Sequence, residues 1–326
     1  MTPNENIRSV MVTGATGFVG RSVVRELLSR GYQPVCLVRS PQKLLKQHPD
    51  VSPDRMTTVA GDLHDAAALR HAADLSQAVI HLVGIIVARP MKGQTFQKVH
   101  VQGTKNVVSA AAESGIRRYL HMSALGARPD GVSTYHRTKW AAEEFVRASG
   151  LDWTVFRPSL IHGPDGEFMQ LMKQFMCGWV PPAIPVFGGG SARLQPVSVR
   201  DVAHCFVRAL SDPVTVGQVY PLGGPRAYTW RDLYNICRSR MRGAKRWKPI
   251  VSQPVPVAKL MAILGQPLMG LAEAIVPRLG LYRFDAGQVQ MSQEDNVCDP
   301  DVAEKAFSLK LRDFEEDLTL YADQIR

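Results

Sequence analysis

Arg8-Ser9-Val10-Met11-Val12-Thr13-Gly14-Ala15-Thr16-Gly17-Phe18-Val19-Gly20 is the stretch on which the fold turns. Arg8–Thr13 is a short β-branched run and Phe18–Arg30 has helical spacing, so the three glycines fall in the turn between a strand and a helix. Each glycine has a separate physical reason to be there. Gly14 permits the tight turn, Gly17 lets the backbone approach a pyrophosphate, and Gly20 lets the helix pack closely on the sheet. The free N–H groups and dipole at the helix start then attract an anion. Glycines in a turn are weak evidence alone; strand before and helix after supply the context of a dinucleotide-binding loop.

Outward from this loop the chain keeps alternating. Pro34–Val38, Met56–Ala60, Ala78–Val83, Arg118–Met122 and Asp152–Arg157 read as strands. Helices are expected at Pro41–Gln47, Asp65–His71, Gln94–Ser114 and Thr134–Ser149. The pattern predicts an α/β fold, a Rossmann-type doubly wound parallel sheet. After Pro158 the rhythm breaks into Gly- and Pro-rich sequence. We therefore expect a cofactor-binding domain over 1–158 and a smaller C-terminal substrate or partner lobe over 159–326. Segments near 195–222 are expected to fold back onto the first domain.

Composition narrows the function classes. The chain has 326 residues, 45% hydrophobic and 21% charged, enough for a full core and inconsistent with a disordered or disulfide-stapled chain. Its 5 scattered cysteines include no C-x-x-C pair and point to reduced thiols. No secretory signal is recognisable, and no uncharged apolar stretch reaches the ~18–20 residues of a spanning helix. A cytoplasmic protein is expected, with membrane-peripheral attachment on the cytoplasmic side as the alternative.

The net charge of +10 is unevenly placed. Residues 225–260 hold 9 bases against Asp232, and residues 282–326 hold 11 acids against 5 bases. Between them Pro254–Leu281 is apolar and Met-rich, and reads as packed helices split at Gly265–Pro267. The basic segment has three readings: a face paired with the acidic tail, a contact with anionic lipid alongside Pro254–Leu281, or a nucleic-acid surface. Sparse aromatic interleaving and the lack of a reader motif make nucleic acid unexpected.

Arg39 follows the second strand, where an acid suits the ribose 2′-OH of NAD and a base suits the 2′-phosphate of NADP. The residue favours NADP(H), with NAD(H) open. Asp62, in Gly61-Asp62-Leu63, is placed to accept from the adenine amino group or to cap a helix. Tyr135 and Lys139 are four apart on one helix face, and Ser123 closes the preceding strand. An ammonium beside a tyrosine stabilises its phenolate, and a serine hydroxyl holds a substrate oxygen. His81, His121 and His162 stand near strand ends and read as hydrogen-bonded core histidines; no metal-ligand spacing is present. Asp201 reads as the cap of a helix over Val202–Leu210. Asp165 and Glu167 read as loop acids near the cleft.

These motifs together resemble an extended or atypical short-chain dehydrogenase/reductase, of the epimerase/dehydratase-like kind. They are the T-G-x-x-G-x-x-G loop, G-D-L, Val101–Val108, Y-x-x-x-K, Arg157-Pro158-Ser159 with Ile161–Pro164, and Pro196–Ala203, spanning about residues 8–235. Leu82-Val83-Gly84, Ser123–Ala127 and Gln195-Pro196-Val197 are similar to the subgroup of the nucleotide-binding accessory subunit of respiratory complex I. The resemblance implies that Gly14, Thr16, Gly17, Phe18 and Val19 line the pyrophosphate. It implies that Val83 and Gly84 flank the adenosine and that Pro158 and Ser159 meet the nicotinamide; Leu63, beside Asp62, is also expected among the cofactor-binding residues. Ser123, Tyr135 and Lys139 would be catalytic, with Lys139 also on the nicotinamide ribose. His100 departs from the asparagine usual in extended enzymes. The expected function is an NAD(P)(H)-binding oxidoreductase acting on a carbonyl or hydroxyl. One alternative is a non-catalytic accessory or assembly protein of a respiratory or quinone pathway; another is a sugar-nucleotide epimerase or dehydratase.

Overall fold

The computed structural model describes residues 7–179, 182–264 and 285–325. The Gly265–Pro267 break, and the rest of the apolar stretch beyond residue 264, lie outside them. The first half alternates as β1 (Ser9–Thr13), α1 (Phe18–Ser29), β2 (Gln33–Val38), α2 (Pro41–Gln47), β3 (Thr57–Ala60), α3 (Ala66–Asp74), β4 (Ala78–His81), α4 (Gly103–Glu113), β5 (Arg118–Met122), α5 (Thr134–Arg147) and β6 (Asp152–Pro158). The second half runs β7 (Ile161–His162), α6 (Glu167–Cys177), β8 (Ile184–Phe187), β9 (Arg193–Leu194), β10 (Val197–Ser198), α7 (Val199–Ala209), β11 (Gln218–Leu222), β12 (Tyr228–Thr229), α8 (Trp230–Arg240) and β13 (Ile250–Gln253). Helix α9 is described over 255–264. Then come α10 (Ala286–Met291), α11 (Pro300–Phe307) and α12 (Phe314–Tyr321).

The central sheet has seven strands in the order β11-β6-β5-β4-β1-β2-β3, and every pairing in it is parallel. It is a doubly wound Rossmann-type sheet. Its strands are apolar on both faces because helices cover both. Val10, Val12, Ile80 and Leu120 face α1 and α7, with Phe307 of α11 in the same core. Met11, Val79, Tyr119 and Val155 face α3, α4 and α5. A third core joins α6, β8, α8 and α12 through residues such as Phe168, Met172, Leu233 and Phe314.

Three local readings need correction. The expected Gln94–Ser114 helix opens with a π-helical turn over Gln97–Gln102 before α4. Helix α7 starts at Val199 and is capped by Ser198, whose side chain accepts from the Arg200 N–H. Asp201 is instead inside the first turn and buried, accepting from the backbone and guanidinium of Arg312. Asp62 does not cap α3; Asp65 does, while Asp62 accepts from the His64 N–H at 2.7 Å.

The basic segment is partly spent on the acidic tail. Arg226 pairs with Asp313 and Arg240 with Glu315. Arg238 donates to the Lys248 carbonyl, and the buried Lys248 ammonium donates to the Phe175 carbonyl at 3.0 Å. No described helix is long and apolar enough to cross a membrane.

Candidate functional site

The carboxyl ends of β1, β4, β5 and β6 carry most of the residues singled out in the sequence. At β1 the chain turns through Gly14, whose φ of +79° is a left-handed conformation. A Cβ on Gly14 would meet Val83 at 3.3 Å, so the loop and the end of β4 are in contact. Gly17 donates to the Gly14 carbonyl at 2.9 Å and closes the turn. At Gly20 a Cβ would lie 2.1 Å from the Gly14 oxygen, which forbids any side chain. Gly17 caps α1 without a side-chain bond, and no acid stands in the first turn. The amide groups around Thr16, Phe18 and Val19 therefore remain available to an anion, and the cradle fits a pyrophosphate.

Beside this loop is an open cleft of about 460 Å³ lined by Arg39, Gly61, Asp62, His64 and Asp65. Arg39 is exposed and forms no ion pair with a described residue. Asp62 accepts from the His64 N–H and Asp65 from the Ala68 N–H of α3, and neither forms an ion pair with Arg39. Leu63 is buried; a Cβ on Gly103 would sit 2.6 Å from its side chain, locking the turn onto α4.

Ser123, Tyr135 and Lys139 come from β5 and α5. The Ser123 hydroxyl is buried and has no hydrogen-bond partner among the described residues. Lys139 is buried, and its ammonium donates to the Met122 carbonyl, next to Ser123, at 2.9 Å. Burial brings its pKa down to about 8. Gly84 approaches the same ammonium so closely that a Cβ would lie 2.9 Å from Nζ. Burial pushes the Tyr135 phenol up to about 12. The ammonium expected to lower the tyrosine pKa gives one of its three N–H groups to Met122, and the phenol stays protonated at neutral pH.

Sequence reasoning noted His100 only as a departure, yet it ties this site together. Its ring is buried in the π-helical turn, edge-on to Tyr135 with ring centroids 5.5 Å apart. Nδ1 lies 2.9 Å from the Thr138 hydroxyl, and Nε2 lies 3.1 Å from both the N–H and the carbonyl oxygen of Ile85. The Thr138 hydroxyl donates to the Thr134 carbonyl at 2.8 Å. Burial, with the Lys139 charge second, lowers the His100 pKa to about 2. The ring stays neutral and holds Ile85 against α5.

Two more histidines lie beneath. His81 bonds Thr13 at 2.6 Å and Thr104 at 3.1 Å, and burial lowers it to about 3. His121 stacks on His81 at 5.5 Å, but neither of its ring nitrogens has a partner among the described residues. The reading of all three strand-end histidines as hydrogen-bonded is therefore wrong for His121. His162 is half satisfied, through Tyr321 at 2.9 Å. No cluster of metal-ligating side chains occurs among the described residues.

Pro158 and Ser159 end β6. Pro158 accepts from Leu125, and the Ser159 hydroxyl donates to the Asn296 carbonyl at 2.9 Å, holding a distant loop over the strand end. Asp165 pairs with Arg21 of α1 at 3.2 Å, and Glu167 opens α6. A second cleft, of about 320 Å³, has Tyr135 in its wall together with Phe96, Ser133, Ile263, Asp285 and Met291. Ser123 and Lys139 do not line it. Ile263, Asp285 and Met291 had no local signal, because they lie more than a hundred residues from Tyr135.

A model of NAD(P)H-binding proteins matches residues 14–213. A mitochondrial NADH dehydrogenase [ubiquinone] 1 alpha subcomplex subunit 9 from Arabidopsis thaliana is 31% identical over 258 residues, 77% of this chain and 61% of that protein. The chain thus spans less than two thirds of that subunit's length. A ceramide reductase from Caulobacter vibrioides is 35% identical over 237 residues, 72% of this chain and 69% of the relative. The crystal structure of gox2253 superposes with a TM-score of 0.71 at 25% identity, covering 97% of this chain and 98% of the other.

Proposed function

The chain belongs to the family of NAD(P)H-binding Rossmann proteins, and from that premise we propose that it is a nicotinamide-dependent oxidoreductase of the short-chain type. Its substrate is a carbonyl compound or the matching alcohol, and its preferred cofactor is NADP(H). The observation that carries this reading is the buried, unpartnered Ser123 hydroxyl next to the Lys139–Met122 bond, with Tyr135 in the wall of the adjoining cleft. An orphaned buried hydroxyl costs ~1–3 kcal/mol, a cost that a substrate oxygen relieves on binding.

The cofactor, when bound, supplies or takes the hydride. Gly14, Gly17 and the start of α1 would hold its pyrophosphate, and Arg39 would meet the 2′-phosphate of NADP(H). In reduction, Ser123 donates a hydrogen bond to the carbonyl oxygen. Tyr135, protonated at neutral pH, gives its proton to that oxygen as the alcohol forms. Lys139 retains two N–H groups besides the one on Met122, and its charge stabilises the phenolate left behind. His100 is neutral and holds the Ile85 loop and Thr138 in place.

A second reading is a cofactor-binding subunit or assembly factor of a respiratory or quinone pathway. It is favoured by the Tyr135 pKa of about 12, raised by burial with no relief from Lys139, and by the alpha subcomplex relative. Calorimetric titration of cofactor-stripped protein with NADPH and NADH tests binding. Replacing the wild-type gene by one encoding Tyr135→Phe then separates the readings: loss of cellular function supports proton transfer, and full retention supports the subunit role.

A further inference from the structure

The cleft at Tyr135 has a mixed lining. Ser133, Thr134, Tyr135 and Asp285 supply its polar groups, and Ile86, Phe96 and Ile263 are among its apolar walls, with the Phe96 ring 6.2 Å from that of Tyr135. No lysine, arginine or histidine lines it among the described residues. A diphosphate group needs cationic partners when it leaves water. Here the lining carboxyl among the described residues is Asp285, whose negative charge opposes such a ligand.

The apolar wall continues to the surface. Helix α9 turns small residues inward, burying Ala258 and Ala262, and turns large ones outward. Val257, Leu260, Met261, Ile263 and Leu264 are each between 49% and 61% exposed. Ile263 belongs to both surfaces: it lines the cleft and stands on the exposed strip. Ile263 therefore joins the apolar lining of the cleft to the outer face of α9.

We infer that the substrate is an amphiphile, a carbonyl compound carrying a long hydrocarbon chain. Its carbonyl meets Tyr135 in the cleft wall, and its chain leaves past Ile263 and along α9. This inference rests on the oxidoreductase reading for the identity of the reacting group, but the apolar path stands without it. Reduction balances as ketone, reduced nicotinamide and one proton giving alcohol and oxidised nicotinamide.

The test uses the full chain loaded with NADP⁺, with which a ketone does not react, so binding is read without turnover. Calorimetry compares butan-2-one, octan-2-one and dodecan-2-one, with UDP-glucose as the charged alternative. Each buried methylene is worth ~0.8 kcal/mol, so octan-2-one is expected to bind on the order of a hundredfold tighter than butan-2-one. Ile263→Asp and Leu260→Asp are expected to flatten this dependence while NADP⁺ affinity stays unchanged, which reports intact folding. Equal affinity for the three ketones, or tighter binding of UDP-glucose than of dodecan-2-one, overturns the inference. The same samples given NADPH report the other question. Chain-length-dependent binding without NADPH oxidation defeats the oxidoreductase reading and leaves the amphiphile site standing.

Discussion

Helices α5 and α9 both border the Tyr135 cleft, and they violate the usual inside–outside pattern in opposite directions. Helix α5 buries polar groups. His136, Thr138, Lys139 and Glu143 all face inward, and Glu143 is fully enclosed between Arg147 and Arg157. Helix α9 buries alanines and gives its bulky aliphatic residues to the surface. Burying polar groups is costly unless each is paired, and α5 meets that condition almost everywhere. Lys139 bonds Met122, Thr138 bonds Thr134 and His100, and Glu143 accepts from Arg157 at 2.7 and 2.9 Å. Exposed aliphatic residues clustered on one helix mark a contact surface rather than a packing need. In the proposed site, Tyr135 of α5 meets the reacting group and the aliphatic face of α9 stands at the mouth.

Substitutions can break or sharpen that contrast. The largest expected effect is on chemistry. Tyr135→Phe is expected to lower ketone reduction by about 10²–10⁴-fold, with NADPH affinity unchanged by calorimetry. Next comes the stability of α5. Glu143→Ala leaves two guanidinium groups facing a vacated, enclosed site and is expected to cost about 3 kcal/mol in urea denaturation. An α5 as tolerant as a surface helix would erase the contrast.

The third effect is pH-dependent. His81 and His100 have folded pKa values near 3 and 2, below the unfolded value of 6.5. Between those limits the unfolded chain binds more protons, so stability falls as pH drops from 6.5 towards 3 and is unaffected above pH 7. Each histidine should contribute about 2–3 kcal/mol of this loss by pH 4.5. His81→Gln and His100→Asn should each flatten a plot of unfolding free energy against pH; an unchanged slope would mean that these rings are solvated. A smaller effect is expected at Arg39, where Arg39→Ala should weaken NADPH binding about tenfold and leave NADH alone. The smallest is on α9: Leu260→Gln should change unfolding free energy by less than about 0.5 kcal/mol, because its side chain already meets solvent.

The glycine loop was legible because local geometry constrains it. A turn that needs a left-handed residue at Gly14 and no side chain at Gly20 admits few sequences. The pairing of Tyr135 with Lys139 on one helix face was legible for the same reason, since four residues make about one turn. The state of that pair was not. Whether the ammonium serves the phenol or the Met122 carbonyl depends on where β5 ends relative to α5. The placement of His100 was hidden by a π-helical turn that helical periodicity does not signal. Asp201 read as a cap because it stands one residue before the strongest apolar pattern, yet Arg312 from the tail claims it. The basic run at 225–260 read as a surface, and ion pairs of Arg226 to Asp313 and of Arg240 to Glu315 turn two of its 9 bases to the acidic tail.

By itself the sequence determined the alternation of strands and helices, the parallel sheet and the anion-binding turn. These follow from periodicity and from backbone conformations that few residues tolerate, both local properties. Tertiary structure alone decided which distant residues share the cleft with Tyr135, which charges are spent on each other, and which face of α9 meets water. Burial and pairing are relations between segments far apart in the chain, and no window of sequence contains both partners.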